Sequence, residues 1–294
     1  MKKTFLILAI ACIALLMSSC QKEGVYNPNK KISKIYTTIT TNPIAPETPI
    51  VLTPKYLSES WTWNGKLLEK IDYYSENSDQ PKRTVTFTYD SKKRVSAVNT
   101  VGSHAEYTYD GKELSEAKYY VLDNLYKTYK FTHSNGKISE IKITTEDIGI
   151  IDKNTDVNLM QFVLPLQICQ AIDNAQKESM TKSGIKGSIT GTTTFTWEKG
   201  NITQSVYKDE TGYEQTFTGE YDQYKNPYYG MFEEQFYESN LSKNNLYMEH
   251  YRDNNGGIRD GHTNYEFGSE HLYPIKASHS GGSYYLTVRE YEYK

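Results

Sequence analysis

The chain has 294 residues, a formal charge of −3 and 39 aromatic side chains, 27 of them tyrosine. So many rings exclude an intrinsically disordered polymer, and the slight acidity is unlike the clustered lysine and arginine of a nucleic-acid binder. A negative mean hydropathy excludes a polytopic membrane protein, and the length allows one large domain or two ordinary ones, with a large core buried without disulfides.

At the N-terminus Lys2 and Lys3 precede an uninterrupted apolar run of 13 residues, Phe5 to Met17. A bilayer span takes about 20 residues, so the run reads as the core of a signal peptide. It ends in Met17-Ser18-Ser19-Cys20. Small residues before a cysteine resemble the bacterial lipobox, which implies a signal peptide over 1–19 and acylation of Cys20, with palmitate among the chains. A multiply acylated cysteine holds firmly to a membrane. An ordinary cleaved signal with an incidental cysteine is the alternative. Gln21-Lys22-Glu23 resembles the short charged tag that directs lipoproteins of Bacteroides-type bacteria to the cell surface, or else forms a solvated tether. The implied location is the outer membrane, with exposure at the cell surface or toward the periplasm. Removing 1–19 leaves 31 basic and 36 acidic side chains. Cys169 is then the one cysteine besides the anchor and reads as a structural thiol in an apolar run.

Residues 20–54 read as a lipidated N-terminus and extended lead-in, because five of the nine prolines lie between Pro28 and Pro54. A single β-repeat domain is expected over 55–294. Its unit is aromatic-Thr-aromatic, a turn, and two hydrophobics spaced by three. The copies are Trp61-Thr62-Trp63-Asn64-Gly65, Phe87-Thr88-Tyr89-Asp90-Ser91, Tyr107-Thr108-Tyr109-Asp110-Gly111 and Phe195-Thr196-Trp197-Glu198-Lys199-Gly200. Rings two apart share one strand face, and Asn-Gly or Asp-Gly supplies a tight hairpin turn. The returning pairs are Leu68/Ile71, Val95/Val98, Leu114/Ala117, Ile138/Ile141 and, upstream, Ile32/Ile35. A spacing of three would split each pair between faces, so a bulge is expected after every turn. The repeat predicts a mainly β, antiparallel up-and-down meander of about 14–18 strands, curled or closed into a barrel-like structure. Thr128, Lys130 and Thr132 at the alternate positions argue against lipid around that barrel.

The period changes over Asp156–Gln176, where apolar residues recur every three or four positions. This predicts one inserted helix near 157–176, within an insert spanning 152–185, followed by a glycine-bearing return loop.

Tyr-Asp turns followed by Lys93-Arg94-Val95 or by Lys112-Glu113-Leu114 resemble the YD repeats of RHS-type secreted proteins. The whole chain resembles a family of Bacteroides-type lipoproteins of unknown function with a porin-like β fold. The resemblance rests on the lipobox, the hairpin repeats, Tyr221 to Tyr228, Leu241 to Asn245, and Tyr265-Glu266-Phe267 with Pro274. It implies a fold and a location, and brings no activity, ligand or catalytic residue.

No nucleophile elbow, phosphate loop or metalloprotease helix is present, so a non-enzymatic protein without cofactor, catalytic site or metal site is expected. Asp152 to Asn158 alternates oxygen ligands, but Val157 replaces the glycine of a calcium loop. His250, His262, His271 and His279 have no ligand spacing. The double tyrosines Tyr73-Tyr74, Tyr119-Tyr120, Tyr228-Tyr229 and Tyr284-Tyr285 must each send one ring off the core face. Those rings either form stabilising cross-strand ladders or line a ligand site comprising Trp61, Trp63, Tyr74, Tyr120, Tyr229 and Tyr285. The expected function is binding of an extracellular glycan or lipid-like ligand. A structural or accessory subunit that pairs with another envelope protein by a sheet edge and an envelope hydrolase with a hidden acid/base pair are the alternatives.

Overall fold

The computed structural model describes residues 23–41, 52–146, 188–229, 241–270, 272–281 and 285–294. Within them the chain forms sixteen strands and no helix. In order they are β1 (Ile32–Thr41), β2 (Tyr56–Asn64), β3 (Leu67–Tyr73), β4 (Arg83–Tyr89), β5 (Val95–Thr100), β6 (Ser103–Asp110), β7 (Glu113–Val121) and β8 (Asn124–Ser134). There follow β9 (Lys137–Thr145), β10 (Ile189–Glu198), β11 (Asn201–Asp209), β12 (Glu214–Lys225), β13 (Asn244–Asp253), β14 (Ile258–Phe267), β15 (Pro274–Gly281) and β16 (Tyr285–Tyr293). Each pairs antiparallel with its sequence neighbours, and β16 pairs with β1, so the meander closes into a barrel. β1 lies inside the proline-rich lead-in, so the barrel starts upstream of residue 55. Cys20, Cys169, the Asp152–Asn158 loop, His271 and the helix expected over 157–176 lie outside the described residues.

The repeat works as its spacing requires. Asn135 and Gly136 both take positive φ, 53° and 69°, and this twists the β8–β9 turn to match its strands. After each such turn the register slips by one residue, between Thr62/Trp63, Thr88/Tyr89, Thr108/Tyr109, Thr132/His133 and Thr196/Trp197. Equivalent slips occur at Glu220/Tyr221, Glu266/Phe267 and Ile32/Lys34. The barrel is therefore eight equivalent hairpins, the eighth made of β16 and β1. At three of them the bulged serine donates its hydroxyl to the facing strand: Ser115 to Thr108 O, Ser139 to Thr132 O and Ser33 to Glu292 O.

Alternation sorts the two faces. On β4, Val85 and Phe87 are buried while Thr86 and Thr88 are exposed; on β8, Tyr129 and Phe131 are buried while Lys130 and Thr132 are exposed. The outer wall is a mosaic of cross-strand charge pairs such as Lys276–Glu266, Lys208–Glu214 and Lys34–Glu292. The interior carries a continuous apolar sector on β1–β9, built from Ile35, Ile71, Val85, Val98, Ala117, Tyr129 and Ile141, all but sealed from solvent. A smaller cluster of Ile202, Phe217, Leu246 and Tyr251 lines β11–β13. This is the inverse of a lipid-embedded barrel, whose apolar band faces outward.

The two rims differ. The repeat turns, residues 226–229 and 241–243, and both described chain ends lie at one rim, here the terminal rim, where Lys31 and Lys294 exchange backbone hydrogen bonds. The far rim carries the β5–β6 and β7–β8 turns and four exposed aliphatic side chains, Leu52, Val101, Leu122 and Ile258.

Candidate functional site

A ring of aromatic hydrogen bonds runs round the terminal rim. The second aromatic of each repeat donates to a carbonyl on the preceding strand, at the residue that opens its bulge. Trp63 Nε1 bonds Ile32 O at 2.8 Å, Tyr89 Oη bonds Leu68 O at 2.6 Å, Tyr109 Oη bonds Val95 O at 2.7 Å and Trp197 Nε1 bonds Ile138 O at 2.7 Å. Tyr221 and Tyr293 donate likewise to Ile202 and Pro274, and on β14 it is the first aromatic of Tyr265-Glu266-Phe267 that donates, to Leu246 O. Burial holds the Tyr89 and Tyr109 hydroxyls well above the ordinary phenol value, which keeps them as donors. Five of the 27 tyrosines serve this architecture.

The eighth position, on β8, is His133. Its Nε2 lies 2.9 Å from Glu23 Oε1, and the other oxygen of Glu23 accepts from Leu114 N at 2.6 Å. The segment before β1 thus fills the one place where the ring lacks a tyrosine or tryptophan. From there it runs along the rim as a strap. Gly24 O accepts from Val95 N, and Tyr26 donates to Pro227 O at 2.6 Å while its ring lies 5.4 Å from Trp63. Gly24 sits at φ +75°, and a Cβ there would fall 2.1 Å from Tyr109 Oη, so only glycine lets the strap lie this close.

Inside the barrel, polar groups gather on β13–β16 and β2. Arg289 and Glu59 form a sealed ion pair at 2.7 Å; Glu59 also accepts from Trp61 Nε1, and Arg289 donates to Tyr228 Oη. Glu249 faces Gly261 across β13 and β14. Both its oxygens are buried without a hydrogen-bond partner among the described residues. Desolvation pushes its carboxyl up to about 8, only partly opposed by the Arg259 cation, so it is neutral at pH 7. Arg259 stacks over Tyr251 at 4.4 Å. His279, bonded through Nδ1 to Thr263 Oγ1, is pushed down to about 3, first by burial and then by Arg259 and neighbouring cations. A carboxylic acid and a neutral imidazole sealed from solvent have the protonation states of acid and base but no exposure to a substrate.

The residues expected to form one aromatic site are not brought together. Trp61 and Trp63 are interior neighbours, 6.4 Å between rings, and Trp61 lies 6.2 Å from Tyr228. Tyr229 is half-buried at the same rim. Tyr74 and Tyr120 belong to the far rim, where Tyr120 stacks on His104 at 4.5 Å on the outer wall. Tyr285 pairs with Thr41 in the barrel seam, and its side chain lies outside the described residues. The double tyrosines do divide as adjacency demands: Tyr73, Tyr119 and Tyr228 are buried, and Tyr74, Tyr120 and Tyr229 half-exposed. Closure leaves no free edge on the described strands, so pairing with a partner by strand addition has no template. A shallow pocket of about 160 Å³ does open at the terminal rim between Lys30, Tyr273, Ile275 and Tyr293, with the Lys30–Glu270 ion pair beside it. No group of three or more metal-ligating side chains occurs among the described residues.

Sequence reasoning missed Glu23 and His133 as partners and Glu249 as a buried acid. His133 was visible as the break in the Tyr129-Phe131-His133 alternation. Nothing local marks Glu249, whose burial depends on its place in the barrel wall.

No protein-family model matches this chain, and no curated protein matches it. Among solved structures, a porin-like protein from Bacteroides uniformis aligns with 92% of this chain and 100% of its own, at a TM-score of 0.48 and 11% identity.

Proposed function

We propose that the chain is a non-enzymatic lipoprotein of the cell envelope: a barrel surrounded by water, tethered through Cys20, that binds an extracellular glycan or lipid-like ligand on its surface. The observation that carries this reading is the polarity of the wall, with lysine, threonine and glutamate outward and the apolar sector inward, beneath a lipobox-like N-terminus. Such a wall is stable in water and costly in hydrocarbon. Ligand contact then falls to exposed features, the Tyr120–His104 stack and the pocket beside Tyr273. Metabolic labelling with a palmitate analogue should mark the protein at Cys20, and Cys20→Ala should release it from membranes. Membrane association that survives Cys20→Ala, or ion conductance in planar bilayers, would overturn the tethered-barrel reading. A glycan-array and lipid-extraction screen on residues 21–294 tests the ligand class, and silence in both arms removes it.

One observation favours an accessory-subunit role as the second reading. Val101 is 95% exposed, and Leu122 is exposed at φ +47°, a left-handed conformation that a branched side chain rarely takes. Two adjacent hairpin tips carrying such residues suit a protein contact better than a solvated turn. Capture of an envelope protein that is lost on Val101→Ser/Leu122→Asn would support it.

A further inference from the structure

We propose that the strap formed by residues 23–31 fixes the barrel on the membrane with its terminal rim against the lipid headgroups and its far rim turned away. This rests on the lipid-anchor reading of Cys20 and adds an orientation that the anchor alone would not give.

A lipid on a flexible tether permits any face of a protein to meet the bilayer, because a long linker explores a wide volume. Here the tether has almost no length. Glu23 is held from two sides, by His133 on β8 and by the backbone of Leu114 on β7. Gly24 is bonded to Val95 on β5, and Tyr26 is buried against Trp63. Three residue steps separate Cys20 from Glu23, at most about 10 Å of extended chain. Strands of 6 to 12 residues stand between the rims, and at about 3.3 Å rise per residue the far rim lies beyond that reach. The acyl chains therefore enter the bilayer beside the terminal rim.

Charge is not the basis of this assignment. Lys66, Lys93, Lys112 and Lys199 are exposed in the turns of this rim, but so are Asp110, Glu113 and Glu198. The constraint is the docked strap and the short tether.

The test uses the full lipidated chain, with Cys169→Ser, in vesicles of phosphatidylethanolamine and phosphatidylglycerol that carry a headgroup-linked quencher. A fluorophore is placed through Lys93→Cys at the terminal rim or through Val101→Cys at the far rim. The expected result is several-fold stronger quenching at residue 93 than at 101. Lengthening the tether with twenty Gly/Ser residues between Lys22 and Glu23 leaves the strap intact and should bring the two signals together. Equal quenching in the unextended protein, or a difference untouched by the linker, overturns the orientation while leaving the anchor in place. Intact-mass analysis reports acylation separately, so absence of acyl mass is a failure of the anchor reading instead.

Discussion

The interior holds two titratable groups displaced in opposite directions, and each makes stability depend on pH with its own sign. Glu249 rises from 4.5 to about 8, so between those values the folded protein keeps a proton that the unfolded chain has released, and stability falls as pH rises. His279 drops from 6.5 to about 3, so between those values the unfolded chain binds a proton that the folded one refuses, and stability falls as pH drops. From pH 4.5 to 6.5 the two oppose each other. Of these two, Glu249 acts on the alkaline limb up to pH 8 and His279 on the acid limb below 4.5, where the lowered carboxyls of Asp90 and Asp260 act in the same direction. Glu249→Gln should flatten the alkaline limb of a urea-midpoint profile and leave the acid limb unchanged. The Glu59–Arg289 pair gives a contrasting case. Glu59→Gln strands a buried cation and should cost roughly 3–5 kcal/mol, whereas Glu59→Gln with Arg289→Met should recover most of it. A double-mutant cycle in urea reads the difference.

The hairpin is the unit in which sequence and structure correspond most directly. Two rings two residues apart, a positive-φ turn and a pair of hydrophobics three apart were enough to place strands, turns and bulges, because each is a local requirement of backbone geometry. The rim bond from each second aromatic was not legible, since its acceptor lies on the preceding strand and is chosen by register. Tyr109→Phe keeps the ring over Gly24 and removes only the bond to Val95 O, with an expected loss of about 1 kcal/mol. Tyr247→Phe, which removes an exposed bond to Glu220, should change stability by less than about 0.5 kcal/mol. Thermal unfolding of the two variants decides whether the rim bonds stabilise the fold. The candidate site was less legible than the hairpins. Adjacent tyrosines were read correctly as facing opposite ways, but whether outward rings from different hairpins converge depends on which rim each strand reaches. Tyr74 and Tyr120 reach the far rim, and Trp63 and Tyr229 the terminal one. Glu23 looked like part of a sorting tag, and its partner His133 stands 110 residues away.

At the scale of the molecule, closure is the step with the greatest chain separation. Ile32 pairs with Tyr293, and that contact forms only after nearly the whole chain is threaded. Folding rate falls as contacts become less local, so refolding should end in a slow phase reporting β1–β16 pairing. Shortening the seam through Thr38→Pro on β1, which faces Val288, should slow or abolish that phase, while the β2–β9 meander gains its ellipticity at the original rate. Stopped-flow circular dichroism with a probe in the seam separates the two events.

Because Lys31 and Lys294 already exchange backbone hydrogen bonds, the eight hairpins form a circle in which the start of the chain is a matter of genetics more than of structure. Joining Lys294 to Lys31 through a two-residue Asn-Gly turn and opening the chain between Leu122 and Asp123 would give a permuted barrel with every strand pair retained and the strap deleted. Its circular dichroism should match that of the parent, and the vacated notch between His133 and Leu114 should then accept a synthetic peptide of residues 21–31 added in trans. A barrel built this way is a ring with one socket, and the N-terminus is its plug.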